Sequence, residues 1–388
     1  MVLYWIILLI CCFYLVLPLL LIIGGAVRHW IGRSDGVEVQ ASPKPYDYAV
    51  IVTAYEDTSL LSEAVHSILK CTYTNYLIYV VADKCDVSGL SFEDPRVIIL
   101  VPDHILGSNV RSHMHAIRNF RRRHDVVTII DSDNLVDPDY FVGLNRYFES
   151  GFEAVQGERK PKNLDTIYAR LDAARDVYYH YYDASLLFAV GSSCTLSGSG
   201  MAFLTSRYVS SFEDLDVVGA GFDKVLQYQI VADGQRIAYA PHAVVYDQKT
   251  SKSGQLVNQR ARWVNTWFRY VVFGARLINL GLARFDFNRF LFGTILLRPP
   301  LFLLLTLTCI CIGAGIWMNQ QIGLLLLLGS LIIFIATFLI PIVSPRTDRR
   351  ILYSLVGVPK FVFFQFVSLF HARKANARSV ATRHVRLD

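Results

Sequence analysis

Asp131-Ser132-Asp133 is the densest chemical signal in the chain, with two carboxylates flanking one residue where the apolar run Val126-Val127-Thr128-Ile129-Ile130 ends. Strand alternation aims residues two apart to the same side, so both acids would face one ligand. Two hard oxygen donors suit magnesium or manganese and leave positions for water and phosphate oxygens. A metal held there would offset charge developing on a departing diphosphate. The competing account of the triplet is a solvated turn with helix-capping aspartates. The buried run in front of it favours the site.

Other residues could share that chemistry. Glu56 and Asp57 lie just past an apolar run over 48–53, and Asp83 just past one over 77–81. A carboxylate at Asp83 can accept hydrogen bonds from a base edge or ribose hydroxyls, or it can cap a helix or turn. Gly221-Phe222-Asp223 precedes the apolar-periodic Lys224-Val225-Leu226-Gln227 and reads as a helix start. Asp223 is there either a base that removes a proton from an attacking hydroxyl or a plain N-cap. In Gln259-Arg260-Ala261-Arg262-Trp263, helical spacing puts Gln259, Arg262 and Trp263 on one face. Guanidinium, amide and indole together suit a phosphate and a flat ligand wall, although Arg and Trp also favour a membrane surface. Arg121-Arg122-Arg123-His124 reads as a solvated helix end, and Tyr178-Tyr179-His180-Tyr181-Tyr182 as core packing, a membrane contact or an acceptor contact.

Positioning these groups requires an α/β frame. Short apolar runs over 48–53, 77–81, 97–101 and 126–130 suit buried parallel strands, with a helix over 59–69 and segments between them long enough for crossovers. Right-handed crossovers bring the carboxyl ends of such strands to one sheet edge, where open α/β sheets bind ligands. Glu56, Asp57, Asp83, Asp131 and Asp133 all fall at those ends. Downstream come a strand-like 154–156, a Tyr-rich helix over 169–187, a Gly/Ser loop over 191–200, a helix start over 219–230 and an extended 236–246. Tandem repeats and low-complexity tracts are absent from the sequence.

The 388 residues are 53% hydrophobic and 18% charged, too apolar for a typical soluble domain, and the excess sits at the two ends. Residues 3–26 and 299–343 carry no charge, and Asn319-Gln320-Gln321 splits the second run into 299–316 and 322–343. At a rise of about 1.5 Å per residue, runs of this order approach or cover the roughly 30 Å of a bilayer core. The first run lacks a basic start and is expected to be a retained anchor rather than a signal peptide. Positive charge collects at Arg28, Arg33, Arg346, Arg349, Arg350 and the tail, which predicts three spans with the central domain cytoplasmic. The stretch 351–370, interrupted by Pro359-Lys360, is expected to lie at the interface or re-enter. The net charge of +6 follows these membrane flanks, which fits anionic lipid and no nucleic-acid partner. Seven cysteines without pair or cluster spacing predict neither disulfides nor a zinc site.

Taken in order over about 46–265, Thr53-Ala54-Tyr55-Glu56, Asp83, Asp131-Ser132-Asp133, Gly198-Ser199-Gly200, Asp223 and Gln259-Arg260-Ala261-Arg262-Trp263 resemble the membrane-bound family 2 inverting glycosyltransferases. That group includes cellulose, chitin and hyaluronan synthases and ceramide glucosyltransferase. The resemblance implies an α/β fold, a GT-A-type mixed sheet with flanking helices, fused to transmembrane helices. Its expected layout is an N-terminal transmembrane helix over 1–27, a linker over 28–45 and a cytoplasmic GT-A domain over 46–250. Amphipathic interfacial helices over 251–298, two transmembrane helices over 299–343, and an interfacial or re-entrant segment with basic tail over 344–388 complete it.

What the resemblance implies for the site is a catalytic base at Asp223 and a donor-contacting set of Thr53, Tyr55, Glu56, Asp83, Arg111, Asp131, Gln259, Arg262 and Trp263. Asp131 and Asp133 would hold Mg2+ or Mn2+, with Asp133 the better ligand. The donor would be a nucleotide-sugar, expected as a UDP-sugar, and the acceptor a membrane lipid or lipid-linked hydroxyl. The location implied is an integral membrane protein, in the inner membrane if bacterial. A processive synthase extending or exporting a glycan, aided by homo-oligomerisation or an export partner, is the alternative, with a catalytically silent assembly subunit another. Two departures stand out: the usual Thr-Glu-Asp is Gly221-Phe222-Asp223, and the usual aspartate pair is Ala82-Asp83. Uncharged spans disfavour a transporter. A soluble nucleotidyltransferase would need neither the apolar ends nor Trp263.

Overall fold

β1 (Tyr48–Tyr55), β2 (Tyr76–Asp83), β3 (Val97–Leu100) and β4 (Val126–Asp131) are the apolar, β-branched runs of the sequence, and they pair in parallel. Val50, Ile51, Val52, Val80, Val81 and Ile130 are fully buried, as central strands covered on both faces require. Downstream, β5 (Leu135–Val136), β6 (Ala154–Pro161), β7 (Met201–Leu204) and β8 (Ile237–Asp247) complete a mixed eight-stranded sheet of order β3-β2-β1-β4-β7-β6-β8-β5. β7 runs antiparallel to both β4 and β6, and β6 is parallel to β8. The β6–β8 pairing shifts register between Gly157 and Glu158. A Cβ at Gly157 would come within 2.3 Å of the Ala243 carbonyl, so the close backbone approach there admits only glycine. The computed structural model describes residues 1–32, 37, 45–212, 215, 217, 219–251, 253–359 and 361–362.

The helices, in chain order, are α1 (Val2–Trp30), α2 (Leu61–Leu69), α3 (Asn109–Arg118), α4 (Tyr140–Glu149) and α5 (Ile167–Tyr179). A π-helical stretch, His180–Leu186, leads into α6 (Leu187–Ala189), α7 (Thr205–Phe212) and α8 (Phe222–Ala232). Last come α9 (Ser253–Arg284), α10 (Phe287–Leu297), α11 (Leu301–Trp317), α12 (Gln321–Ile342) and α13 (Arg349–Ser354). In α2 the spacing of Leu61, Ala64, Val65 and Ile68 puts one buried stripe on the sheet. α5 is capped by Thr166, whose hydroxyl accepts from the Ala169 amide at 3.2 Å.

α1 and α12 are long and apolar enough to cross a membrane, and α10 with α11 could count as a third span bent by 70°. The three packed helices have two distinct ends. At one, Tyr4 presses on Gly315 and Gly323, where an added Cβ would come within 2.6 and 2.7 Å of its hydroxyl. At the other, Arg28 lies against Gly191, and Tyr182 donates to the Thr337 carbonyl at 2.7 Å. α1 and α12 therefore both run towards the sheet domain, and α11 runs away from it. The tyrosine run is this joint: Tyr178 and Tyr182 are buried, and Tyr178 stacks on Phe338 at 5.3 Å.

One local expectation is corrected. His124 is buried rather than solvated, because its ring bridges Asp47 at 2.6 Å and the Tyr79 hydroxyl at 2.9 Å. Burial lowers its pKa, opposed by Asp47. The stretch expected at the interface over 351–370 is described only through Val362, apart from residue 360. Within it, Ile351 and Ser354 pack onto the protein while Tyr353 and Val356 are exposed. All seven cysteines are free.

Candidate active site

The parallel register brings the acidic strand ends to one edge. Thr53 pairs with Asp131, and Tyr55 with Asp83. Glu56 follows at φ 60°, exposed, with its carboxylate on Lys84 Nζ at 2.6 Å. Asp83 is buried, and its two oxygens accept the Leu106 and Gly107 amides at 3.0 and 2.8 Å. It therefore shapes the 104–108 loop before it can meet any ligand. A carboxylate has roughly four lone-pair sites, so both oxygens retain acceptor capacity. Arg111, exposed on α3, donates to the Leu106 carbonyl of the same loop at 3.4 Å.

Asp131 closes β4, and the turn after it is built on Ser199. The Ser199 hydroxyl is fully buried and accepts from the Asp131 amide at 3.1 Å and from Asn134 Nδ2 at 2.7 Å. Gly198-Ser199-Gly200 is thus the floor under the acidic triplet. That floor is bolted from two sides. Gln156 holds the Ser199 carbonyl at 3.1 Å and the Ser197 amide at 2.9 Å, while Arg159 donates to the Ser197 carbonyl at 2.6 Å. From α8, Gln227 accepts the Leu196 amide at 3.1 Å and Lys224 donates to the Leu196 carbonyl at 3.2 Å.

Asp131 stands in a crowd of like charges. Desolvation, then Asp133, push its carboxyl up to about 7; Arg159 opposes the rise, and Asp247 and Asp223 add to it. Asp223 and Asp133 are therefore close enough to Asp131 to act on it electrostatically. Among the described residues no three acidic, histidine or cysteine side chains already converge as a closed metal cage. Two adjacent carboxylates, one of them held back from ionising by burial and by the other, fit a divalent ion that keeps open positions.

Asp223 lies inside the first turn of α8 rather than at its cap. The cap is Gly221 at φ +102°, and an added Cβ would fall 2.6 Å from the Tyr270 ring of α9, so only glycine fits there. Asp223 pairs with Lys224 Nζ at 3.0 Å, with its side chain 16% exposed and so within reach of a ligand. Phe222 resolves the departure from the usual motif: it is buried, with its ring 5.2 Å from that of His113. The phenyl group packs the core and leaves the neighbouring carboxylate free of it.

Gln259, Arg262 and Trp263 sit on α9, one continuous helix from Ser253. Gln259 Oε1 accepts from Thr250 at 3.4 Å, and desolvation lowers the pKa of Arg262. Trp263 is half-exposed, with the guanidinium carbons of Arg175 and Arg260 over its ring at 3.9 and 4.2 Å. Burial first, then Arg175, push Arg260 down to about 10.

Sequence reasoning did not foresee the ionic network behind this helix. Arg260 pairs with Asp172, Arg175 with Asp176, Lys249 with Asp176 and with Asp247 at 2.9 Å, and Arg159 with Asp247 at 2.5 Å. The available signal was the spacing of Asp172, Arg175 and Asp176 on α5, which puts charges three and four residues apart on a helix with apolar neighbours.

Residues 43–266, more than half of the chain, match the glycosyltransferase like family 2 description. The chain belongs to that family and is a glycosyltransferase with the GT-A arrangement of sheet and helices. It is similar to an N-acetylglucosaminyltransferase of Sinorhizobium fredii, at 26% identity over 271 residues covering 64% of this chain. The match spans 63% of that relative's length. Among solved structures, it resembles the mannosyltransferase PcManGT from Pyrobaculum calidifontis in complex with GDP-Man and Mn2+. The TM-score is 0.55 at 14% identity, covering 94% of this chain and 99% of the other, a likeness of fold. S. aureus TarS 1-349 in complex with UDP-GlcNAc aligns at a TM-score of 0.43 and 12% identity, over 85% and 92% of the two chains.

Proposed function

We propose that the chain transfers a sugar, with inversion, from a nucleotide-sugar to the hydroxyl of a membrane lipid or lipid-linked acceptor. The observation that carries this reading is the strand register, which pairs Thr53 with Asp131 and Tyr55 with Asp83 and so gathers the acidic strand ends at one sheet edge. A divalent ion on Asp131 and Asp133 would supply charge stabilisation for the leaving diphosphate. Thr53, Tyr55, Glu56, Asp83 and Arg111 line or shape the donor side. Asp223, partly exposed and outside the cap, takes the acceptor proton. Gln259 and Arg262 meet the diphosphate, and Trp263 forms a wall on the acceptor side.

Sidedness has support as well. Arg28, Arg346, Arg349 and Arg350 lie at the end of the helical bundle that carries the sheet domain, and the Trp317–Gln321 turn carries no charge. A domain on the positive side is a cytoplasmic domain. The Sinorhizobium relative, an N-acetylglucosaminyltransferase by name, makes a nucleotide-linked N-acetylglucosamine the first donor to try. Two or three candidate spans among the described residues support transfer to a lipid over export of a polymer.

The test is nucleotide diphosphate release by the purified chain across UDP- and GDP-sugars, with membrane extract as acceptor and with Mg2+, Mn2+ or chelator. Release with one donor, abolished by chelator, is expected. No release with any donor overturns the proposal.

A further inference from the structure

Trp263 is 39% exposed, which ordinarily leaves an indole free to sample rotamers. Here it is covered by two planar cations, Arg175 at 3.9 Å and Arg260 at 4.2 Å from the ring centroid. Neither cation is itself loose. Arg260 is 4% exposed and held by Asp172, while Arg175 is held by Asp176. Asp176 is shared with Lys249, Lys249 with Asp247, and Asp247 with Arg159, which donates to the Ser197 carbonyl in the loop whose Ser199 holds the Asp131 amide. Four cations and three carboxylates thus run from the indole to the acidic triplet, tying α5, α9, β6 and the end of β8 together.

Buried ion pairs are weak devices for stability, because desolvation consumes most of their attraction. Their geometry, by contrast, is stringent: each carboxylate is shared between two cations, and shifting one member leaves a buried charge unpaired. Arg Nε atoms of residues 159, 175 and 260 also lack a hydrogen-bond partner among the described residues. For Arg175 and Arg260 the indole face is the neighbour that compensates, through attraction between a cation and the ring's negative face. The cluster gains position rather than hydrogen bonds.

We infer that Arg175 and Arg260 are positioning residues for the transfer reaction. They clamp the Trp263 indole in one plane as the wall the acceptor meets, and the ion-pair chain sets that wall at a fixed distance from the donor carboxylates. The inference rests on the reading of Trp263 as an acceptor-side wall. Lysine keeps the charge at position 175 but lacks the planar guanidinium that stacks on an aromatic face.

The experiment compares native chain, Arg175→Lys, Trp263→Ala and the double variant in detergent, measuring KM for acceptor and for donor separately. Both constants are independent of the fraction of active enzyme, so partial misfolding does not mimic the effect. Arg175→Lys is expected to raise the acceptor KM about tenfold, the scale of one desolvated cation–ring contact, while donor KM stays within a factor of about two. In the Trp263→Ala background the same substitution is expected to move neither constant. An unchanged acceptor KM in Arg175→Lys, equal rises in both constants, or an undiminished effect without the indole overturns the clamp. Absence of turnover by the native chain overturns instead the functional reading on which it stands.

Discussion

Ser199→Ala is the substitution whose consequence the structure makes most definite. The hydroxyl is fully buried and accepts two donors, the Asp131 amide at 3.1 Å and the Asn134 side chain at 2.7 Å. Removing it leaves both donors without that acceptor. A buried donor left unsatisfied costs about 1–3 kcal/mol, so two cost roughly 2–6 kcal/mol, and partial relaxation of the turn puts the expected loss near the lower end. The same relaxation moves Asp131 and Asp133. Displacement of a reacting arrangement by about 1 Å is worth on the order of a hundredfold in rate. The assay is denaturant unfolding of the detergent-solubilised chain alongside donor turnover titrated with Mn2+. A stability loss of about 2–3 kcal/mol, with more metal required for half-maximal turnover, is expected. Stability within about 0.5 kcal/mol of native together with an unshifted metal titration would refute the assignment of Ser199 as the floor of the site.

Three further outcomes follow from side-chain environments. Burial pushes His113 down to about 3, and Nδ1 bonds the Tyr208 hydroxyl at 2.6 Å. Its neutral form is favoured in the fold, so its contribution is complete above about pH 6.5 and is lost as pH falls towards 3, with a slope near 1.4 kcal/mol per unit. Unfolding free energy measured across that window should lose this slope in His113→Asn. Phe222→Glu puts a carboxylate into a site buried against His113; thermal unfolding should show a loss of several kcal/mol and turnover should not rise. Tyr182→Phe removes the hydrogen bond to Thr337 that joins the π-helical stretch to α12, and should cost about 1 kcal/mol in unfolding while leaving donor KM unchanged.

Much of the frame was legible because its signals are local. The β-branched runs ending in Asp83 and Asp131 became β2 and β4, and the acids fell on one edge because parallel pairing aligns strand ends. β5 and β7 were not legible: Leu135–Val136 is two residues long, and Met201–Leu204 follows directly on the glycine-flanked Ser199, so neither shows a period. Asp83 had a visible position but an invisible task, since its oxygens are engaged by the amides of a loop more than twenty residues away. Phe222 misled as an apparent intruder at the acceptor side because nothing local announces His113 as its partner. The ion-pair chain was hidden for the same reason. Asp172, Arg175 and Asp176 lie far along the chain from Asp247, Lys249 and Arg260, and only the folded chain brings them into one buried network.

The role of Asp223 bears most directly on the account as a whole. Asp223→Asn keeps the size of the side chain but cannot take a proton, and losing its negative charge favours ionisation of Asp131 rather than weakening the donor side. Single-turnover transfer from the active nucleotide-sugar should fall by about a hundredfold or more, the usual worth of a positioned base, with donor affinity by direct binding not weakened. Transfer at the native rate by that variant would contradict the central claim that Asp223 activates the acceptor hydroxyl.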